Sequence, residues 1–184
     1  MKKVLFFMML LAAMTARAQG EMKNGVYETK TVSEVENLTA DQLYLRTLEV
    51  LSDWSGSQNK SKANIDVQDK EGGIVVYKGS YYLGYRKQNL LYGWDTFADF
   101  TLKVRCKDGK IQVSASVPSM TFRWDATNET FTEPVSSFYP EYAYKGKVLL
   151  KKASTEFAPQ IPVVFDTMVK QLAESITQKE EDDF

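Results

Sequence analysis

Alternating apolar and polar residues fill the middle of the chain and predict a series of β-strands. Phe100, Leu102, Val104 and Cys106 share one face of such a strand, and the residues between them are polar or charged. This pattern predicts that Cys106 is buried. Because apolar burial shields a thiol from reaction, we interpret Cys106 as a structural residue. The same alternation or a similar apolar run predicts strands at residues 26–32, 64–69, 74–86, about 96–107 and 110 to about 124.

Short turn sequences join the later runs and predict antiparallel pairing. Residues 70–73 and 107–110 are polar and contain glycine, as hairpin turns do. Pro118 interrupts the last run, which is therefore predicted either to be an edge strand or to bend at the proline. Residues 19–25 are polar and are predicted to be a loose segment.

Two segments show helical spacing of apolar residues. The first begins near Thr39, which forms a capping-box pattern with Gln42, and its apolar stripe begins at Tyr44. The second covers about residues 159–178, starting near Pro159 or Pro162, since proline is tolerated in a first turn. The resulting order, β-α-β-β-β-β-α, predicts an α+β domain of two layers, an antiparallel sheet with two helices packed on one face. The opposite face is then left free.

Residues 1–18 have the pattern of a signal peptide. Lys2 and Lys3 precede an apolar run that is too short to cross a bilayer, and small residues lead to a cut between Ala18 and Gln19. The residue directly after the cut is not a cysteine, so the lipid-attachment site of a bacterial lipoprotein is not expected here. We therefore expect a periplasmic or secreted mature chain without a transmembrane anchor, forming one domain over residues 19–184.

Composition excludes several classes of function. The chain has no histidine, which excludes Ser-His-Asp and Cys-His catalysis and imidazole metal sites. Loss of Lys2, Lys3 and Arg17 with the leader changes the formal net charge from −1 to −4. A mildly acidic chain has no electrostatic case for binding nucleic acid. We expect no metal and no cofactor, and interpret Asp66, Asp69 and Glu71 as a charged hairpin rather than a calcium loop.

The best candidate binding residues lie in or beside an aromatic loop over residues 125–157. Aromatic side chains with polar tips suit the recognition of sugars, peptides or proteins, and loops this long are commonly functional. The alternative is that these rings fold back and close the end of the core. The predicted ligand-binding residues are Trp124, Phe138, Tyr139 and Tyr142.

Paired carboxylates are the common enzyme chemistry that the lack of histidine leaves open. Such a hydrolase needs one carboxyl group with a raised pKa facing an ionised one. Four acidic residues lie near aromatic residues, but their spacing singles out no pair: Asp95, Asp99, Asp125 and Glu133.

The chain resembles an exported Bacteroidetes family, domain of unknown function 4468, described as having a TATA-binding-protein-like fold. The resemblance covers about residues 27–124. It lies in a first helix from Leu43-Tyr44 to Trp54, in Gly72-Gly73-Ile74 at the start of a long strand, and in the alternation of residues 100–105 leading through Asp108-Gly109-Lys110. It implies a fold and an envelope setting, with no activity or catalytic residue to transfer.

These observations predict an exported, non-enzymatic binding or interaction module of the bacterial cell envelope. Its partner is an unknown envelope protein, peptide or glycan, and not nucleic acid. The alternatives are a carboxylate-dependent hydrolase acting on envelope glycans and a structural protein that self-associates through a free strand edge.

Overall fold

The computed structural model describes residues 20–57, 62–87, 93–138 and 156–178. Within them the chain forms seven strands, two α-helices and one 3₁₀ turn. In chain order these are β1 (Glu21–Lys23), β2 (Val26–Glu34), α1 (Ala40–Ser57), β3 (Lys62–Asp69), β4 (Ile74–Lys87), β5 (Gly93–Lys107), β6 (Lys110–Trp124), β7 (Thr130–Pro134), the 3₁₀ turn (Val135–Phe138) and α2 (Gln160–Gln178).

All strand pairs are antiparallel, and the spatial order is β1-β2-β6-β5-β4-β3. Strand β7 pairs with the second half of β6. The five strands and two helices predicted from the sequence are present, and the predicted α+β class is confirmed. The predicted leader and residues 139–155 of the aromatic loop lie outside the described residues.

Two strands lie where the sequence predicted none. Residues 21–23, predicted to be loose, form β1, because Asn24 and Gly25 adopt positive φ angles of 51° and 81° and turn the chain back onto β2. Asn-Gly is the typical pair for such a two-residue hairpin turn. Strand β7 lies within residues 125–157, which the sequence predicts to be an aromatic loop.

Pro118 is not on an edge strand, so that alternative is wrong. Strand β2 pairs with β6 as far as Val117, and β7 pairs with β6 from Ser119 onward. The proline, which cannot donate a backbone hydrogen bond, lies between the two partners. The register between β5 and β6 shifts beside it, between Asp99 and Thr101, as at a β-bulge.

The core lies between one face of the sheet and the two helices. The strands contribute alternating residues such as Leu102, Val104 and Val113, and α2 contributes a stripe from Ile161 to Ile176 that includes Phe165. Cys106 is 4% exposed, so its prediction as a buried thiol is confirmed. The Tyr27 hydroxyl donates to Asp166 Oδ1 at 2.8 Å and links β2 to α2.

The start of α1 is fixed to the β5–β6 hairpin. The predicted capping box is present: Gln42 N donates to Thr39 Oγ1 at 3.3 Å, and Thr39 N donates to Gln42 Oε1 at 2.9 Å. The carboxylate of Asp108 accepts from the backbone N–H of Ala40 at 2.8 Å. These bonds hold the start of α1 on the same side of the sheet as α2, and no helix of the described residues packs on the other side.

Candidate functional site

The helix-free face of the sheet, which we call the open face, carries a line of positive charge along β5. Lys103, Arg105 and Lys107 occupy alternate positions of this strand and therefore point to the same side. Arg105 and Lys107 are exposed and Lys103 is half-buried. We call these three residues the basic stripe. Among the described residues, no carboxylate forms an ion pair with any of them.

Uncharged side chains lie beside Lys103 and Arg105, whereas Lys107 is opposite Lys110 across the β5–β6 hairpin. On β6, Gln112 is opposite Arg105, and Ser114 is opposite Lys103 and donates from Oγ to the Lys103 carbonyl at 3.1 Å. On β4, Ile74 and Val76 are opposite Arg105 and Lys103 and are half-buried. The stripe thus has a hydroxyl and amide border on one side and an aliphatic border on the other.

Further along the open face, a carboxylate joins three strands. Asp99 accepts hydrogen bonds from Ser80 Oγ on β4 at 2.6 Å, and from Ser119 Oγ at 3.0 Å and Thr121 Oγ1 at 2.7 Å on β6. A shallow depression of about 430 Å³ lies next to it, bordered by Ser80, Thr101 and Pro118 among others. These hydrogen bonds hold the side chains of Asp99 and its three partners in one arrangement without a bound ligand.

An aromatic and ionic cluster follows toward the end of the strands. Asp95 is 6% exposed and accepts a hydrogen bond from Arg123 Nη2 at 2.7 Å. The guanidinium of Arg123 lies 5.3 Å from the centre of the Phe97 ring, and Tyr82 packs against the same ring at 5.4 Å. Because Asp95 is buried, loss of Arg123 would leave its charge without this partner, so the ion pair fixes the position of both side chains.

Asp125 and Tyr85 form a further hydrogen-bonded group beyond this cluster. The backbone N–H of Gly93 donates to Asp125 Oδ1 at 3.0 Å, and the Tyr85 hydroxyl donates to Oδ2 at 2.8 Å. These bonds favour the ionised form and lower the pKa of Asp125, while the bond to Asp125 and burial raise the pKa of Tyr85. A general acid needs a carboxyl group whose pKa is raised. Asp125 therefore does not suit that role.

Two of the four predicted binding residues are described, and they lie on the helix side at the end of the sheet. The Trp124 ring packs 4.6 Å from Trp94 and is half-buried, and its buried Nε1 has no hydrogen-bond partner among the described residues. Phe138 packs edge-to-face on the core residue Phe122 at 5.8 Å. Tyr139 and Tyr142 lie outside the described residues. The structure does not bring Trp124 and Phe138 to the open face.

The basic stripe was not among the sites predicted from the sequence. Its signal was present in the alternation that places Lys103 and Arg105 on the polar face of their strand. The slightly negative net charge of the chain does not indicate such a local group of cations. In the four described segments, no group of three or more Cys, Asp or Glu residues could hold a metal ion. No helix in those segments combines the length and apolar character of a membrane span.

Comparisons with known proteins agree on the fold. The model of the family described as "Domain of unknown function (DUF4468) with TBP-like fold" matches residues 29–121. A TBP-like protein from Parabacteroides distasonis is 14% identical with a TM-score of 0.64, and the alignment covers 87% of this chain and 98% of that chain. A DUF4468 family protein from Bacteroides ovatus is 13% identical with a TM-score of 0.59, covering 95% and 98%. No curated protein matches the chain.

Proposed function

Since the chain belongs to the DUF4468 family, whose description names a TBP-like fold and no activity, we propose that it is an exported, non-enzymatic binding module. We propose that it works in the bacterial cell envelope and contacts its partner through the open face of the sheet. The leader-like pattern of residues 1–18 supports export. The class of partner is an envelope protein, a peptide or a glycan.

The observation that carries this proposal is the contrast between the two faces of one sheet. On one face, both helices cover an apolar core. On the other, charged, hydroxyl and aromatic side chains are held by cross-strand hydrogen bonds such as those of Asp99. Side chains fixed on a rigid sheet lose little conformational entropy on binding, which favours affinity.

The carboxylate chemistry of the open face favours binding over hydrolysis. Asp95 is paired with Arg123, Asp99 accepts three hydroxyl hydrogen bonds, and Asp125 has a lowered pKa. The two buried or half-buried carboxylates are thus engaged by partners on neighbouring strands, and the lowered pKa of Asp125 does not suit a general acid. The two end strands of the sheet do not favour self-association, because β1 has three residues and β3 is interrupted by a bulge near Asp66.

The test compares two variants that each add one tryptophan. Ser116→Trp places a bulky ring in the middle of the open face, where Ser116 lies opposite Thr101 and Glu28. Leu45→Trp places the same ring on α1, at a residue that is 54% exposed. Each mature protein is immobilised and exposed to a native envelope fraction. We expect the wild type and Leu45→Trp to retain the same partner, and Ser116→Trp to lose it; retention by Ser116→Trp would contradict the proposal.

Trp124, Phe138, Tyr139 and Tyr142 stay a second proposed contact region at the end of the sheet. The buried Nε1 of Trp124 supports it, because this donor has no partner among the described residues and gains stability from an acceptor. Trp124→Phe keeps a ring and removes the donor. In the same capture experiment, loss of the partner from this variant would support the region, and unchanged capture would count against it.

A further inference from the structure

The basic stripe retains three like charges in a row on a central strand. The Cα atoms of residues two apart on a strand are separated by about 7 Å, so these charges repel one another. Lys30, on β2, adds another exposed cation to the same face. Among the described residues, no ion pair neutralises Lys30 or the stripe. Repulsion among these cations opposes folding, and a bound anion would reduce that repulsion. The basic stripe therefore indicates an anionic ligand.

The acidic residues of this half of the open face lie away from the stripe. The strands place them on β2, as Glu28 and Glu34, and on β3, as Asp66 and Asp69. Strands β6 and β4 separate them from β5, a distance of about 10 Å on either side. Among the described residues, the stripe therefore lies in a corridor three strands wide that carries no acid from Lys103 to Lys107 and ends at Asp99 on the same strand, and a narrow anion fits along this part of β5.

This geometry disfavours three other anionic partners. A flat anionic membrane would bring its headgroups against the flanking acids as well as against the stripe. An extended peptide binds by adding a strand at a sheet edge, but β5 is paired on both sides, with β4 and β6. Single-stranded nucleic acid requires aromatic side chains on which bases stack, and the borders of the stripe are aliphatic, hydroxyl or amide.

The borders of the corridor match the surfaces of a sugar ring. Ile74 and Val76 offer an aliphatic surface for C–H groups, and Gln112 and Ser114 offer partners for hydroxyls. We propose that the open face binds an acidic polysaccharide, one chain lying along β5 with its carboxylate or sulfate groups on Lys103, Arg105 and Lys107. This inference rests on the proposed function and names the ligand class of the same surface.

The experiment measures binding of the mature protein to polygalacturonate, with neutral dextran as the uncharged control. The test variant combines Lys103→Gln, Arg105→Gln and Lys107→Gln. The matched control combines Arg46→Gln, Lys70→Gln and Lys170→Gln, which removes the same charge from outside the open face. We expect the wild type and the control to bind the acidic polymer, more weakly as salt increases, and not to bind dextran. The stripe variant is expected to bind about tenfold more weakly, since it loses three exposed charge contacts.

Each other outcome counts against the inference. Equal weakening in both triple variants, or none in the stripe variant, would overturn the assignment to the stripe. Binding of poly-glutamate, or of vesicles rich in anionic lipid, as tight as that of polygalacturonate would overturn the choice of a glycan. If no acidic glycan binds but Ser116→Trp still abolishes capture of a native partner, this inference fails and the proposed function stands. If Ser116→Trp has no effect on capture, the proposed function itself fails.

Discussion

Two glycines with nearly the same backbone conformation should respond very differently to alanine. Gly73, in the β3–β4 turn, has φ of 61°, and Gly109, in the β5–β6 turn, has φ of 66°. A Cβ at Gly73 would lie 2.5 Å from the backbone carbonyl oxygen of Cys106. A Cβ at Gly109 would lie 3.6 Å from its nearest neighbour, the Val35 carbonyl oxygen, which is an ordinary contact.

The difference in free energy follows from that contrast. Both alanines pay about 1 kcal/mol for a left-handed conformation. Gly73→Ala must also displace backbone, which costs a further 1–3 kcal/mol in a packed structure, on the order of other overpacking substitutions. The displaced carbonyl belongs to Cys106, whose N–H donates to the Gly73 carbonyl at 2.8 Å, so this hydrogen bond is strained as well. We therefore expect a loss of about 1 kcal/mol for Gly109→Ala and about 3 kcal/mol for Gly73→Ala.

Urea unfolding followed by circular dichroism measures both losses, provided that the slope of the transition is unchanged. In thermal unfolding, Gly73→Ala should lower the midpoint by about 6–12 °C and Gly109→Ala by about 2–4 °C. Equal losses for the two variants would refute the argument, because they would show that conformation alone, and not the carbonyl of Cys106, decides the cost.

Tyr27→Phe removes a hydroxyl that donates to Asp166, and should cost about 1.5–3 kcal/mol because a bond to a charged acceptor is lost. Urea unfolding measures this loss, and a double-mutant cycle with Asp166→Asn should recover most of it as coupling energy; additive losses would contradict it. Asp99→Ala should cost about 2–3 kcal/mol in the same assay, because three hydroxyls lose a charged acceptor. Its control, Asp66→Asn, loses an exposed ion pair and should cost under about 1 kcal/mol. Asp125 has a pKa lowered from 3.8, so its contribution to stability is present above that pH and is lost as the pH falls through its folded-state pKa. The deficit of Asp125→Asn in urea midpoint should therefore shrink in acid, and a deficit that does not change with pH would refute this.

Local patterns predicted most of the fold because the physics behind them is local. Period-two alternation located β4, β5 and β6, and the capping box of Thr39 and Gln42 located the start of α1. The missed strand β1 was also encoded locally, in Asn24-Gly25, and its three residues are too few to show alternation. Strand β7 carried no comparable signal, since its place is set by pairing with β6.

The candidate site was harder to predict because it depends on which strands become neighbours. Alternation places Lys103 and Arg105 on one face. It does not predict that the acids of β2 and β3 on that face lie two strands away from them. Trp124 was predicted to be a binding residue from its type and position. Its half-buried place beside Trp94 follows from the register of β5 and β6.

The sequence alone determined five of the strands, both helices, the buried thiol and the absence of histidine chemistry, because each depends on residue identity and short-range spacing. Tertiary structure decided the strand order, the role of Pro118 between two partners of β6 and the distance of the described acids from the basic stripe. Those features arise from contacts between residues that are distant along the chain. Such contacts form when a sheet buries one face under helices and leaves the charges of the other face in a fixed arrangement.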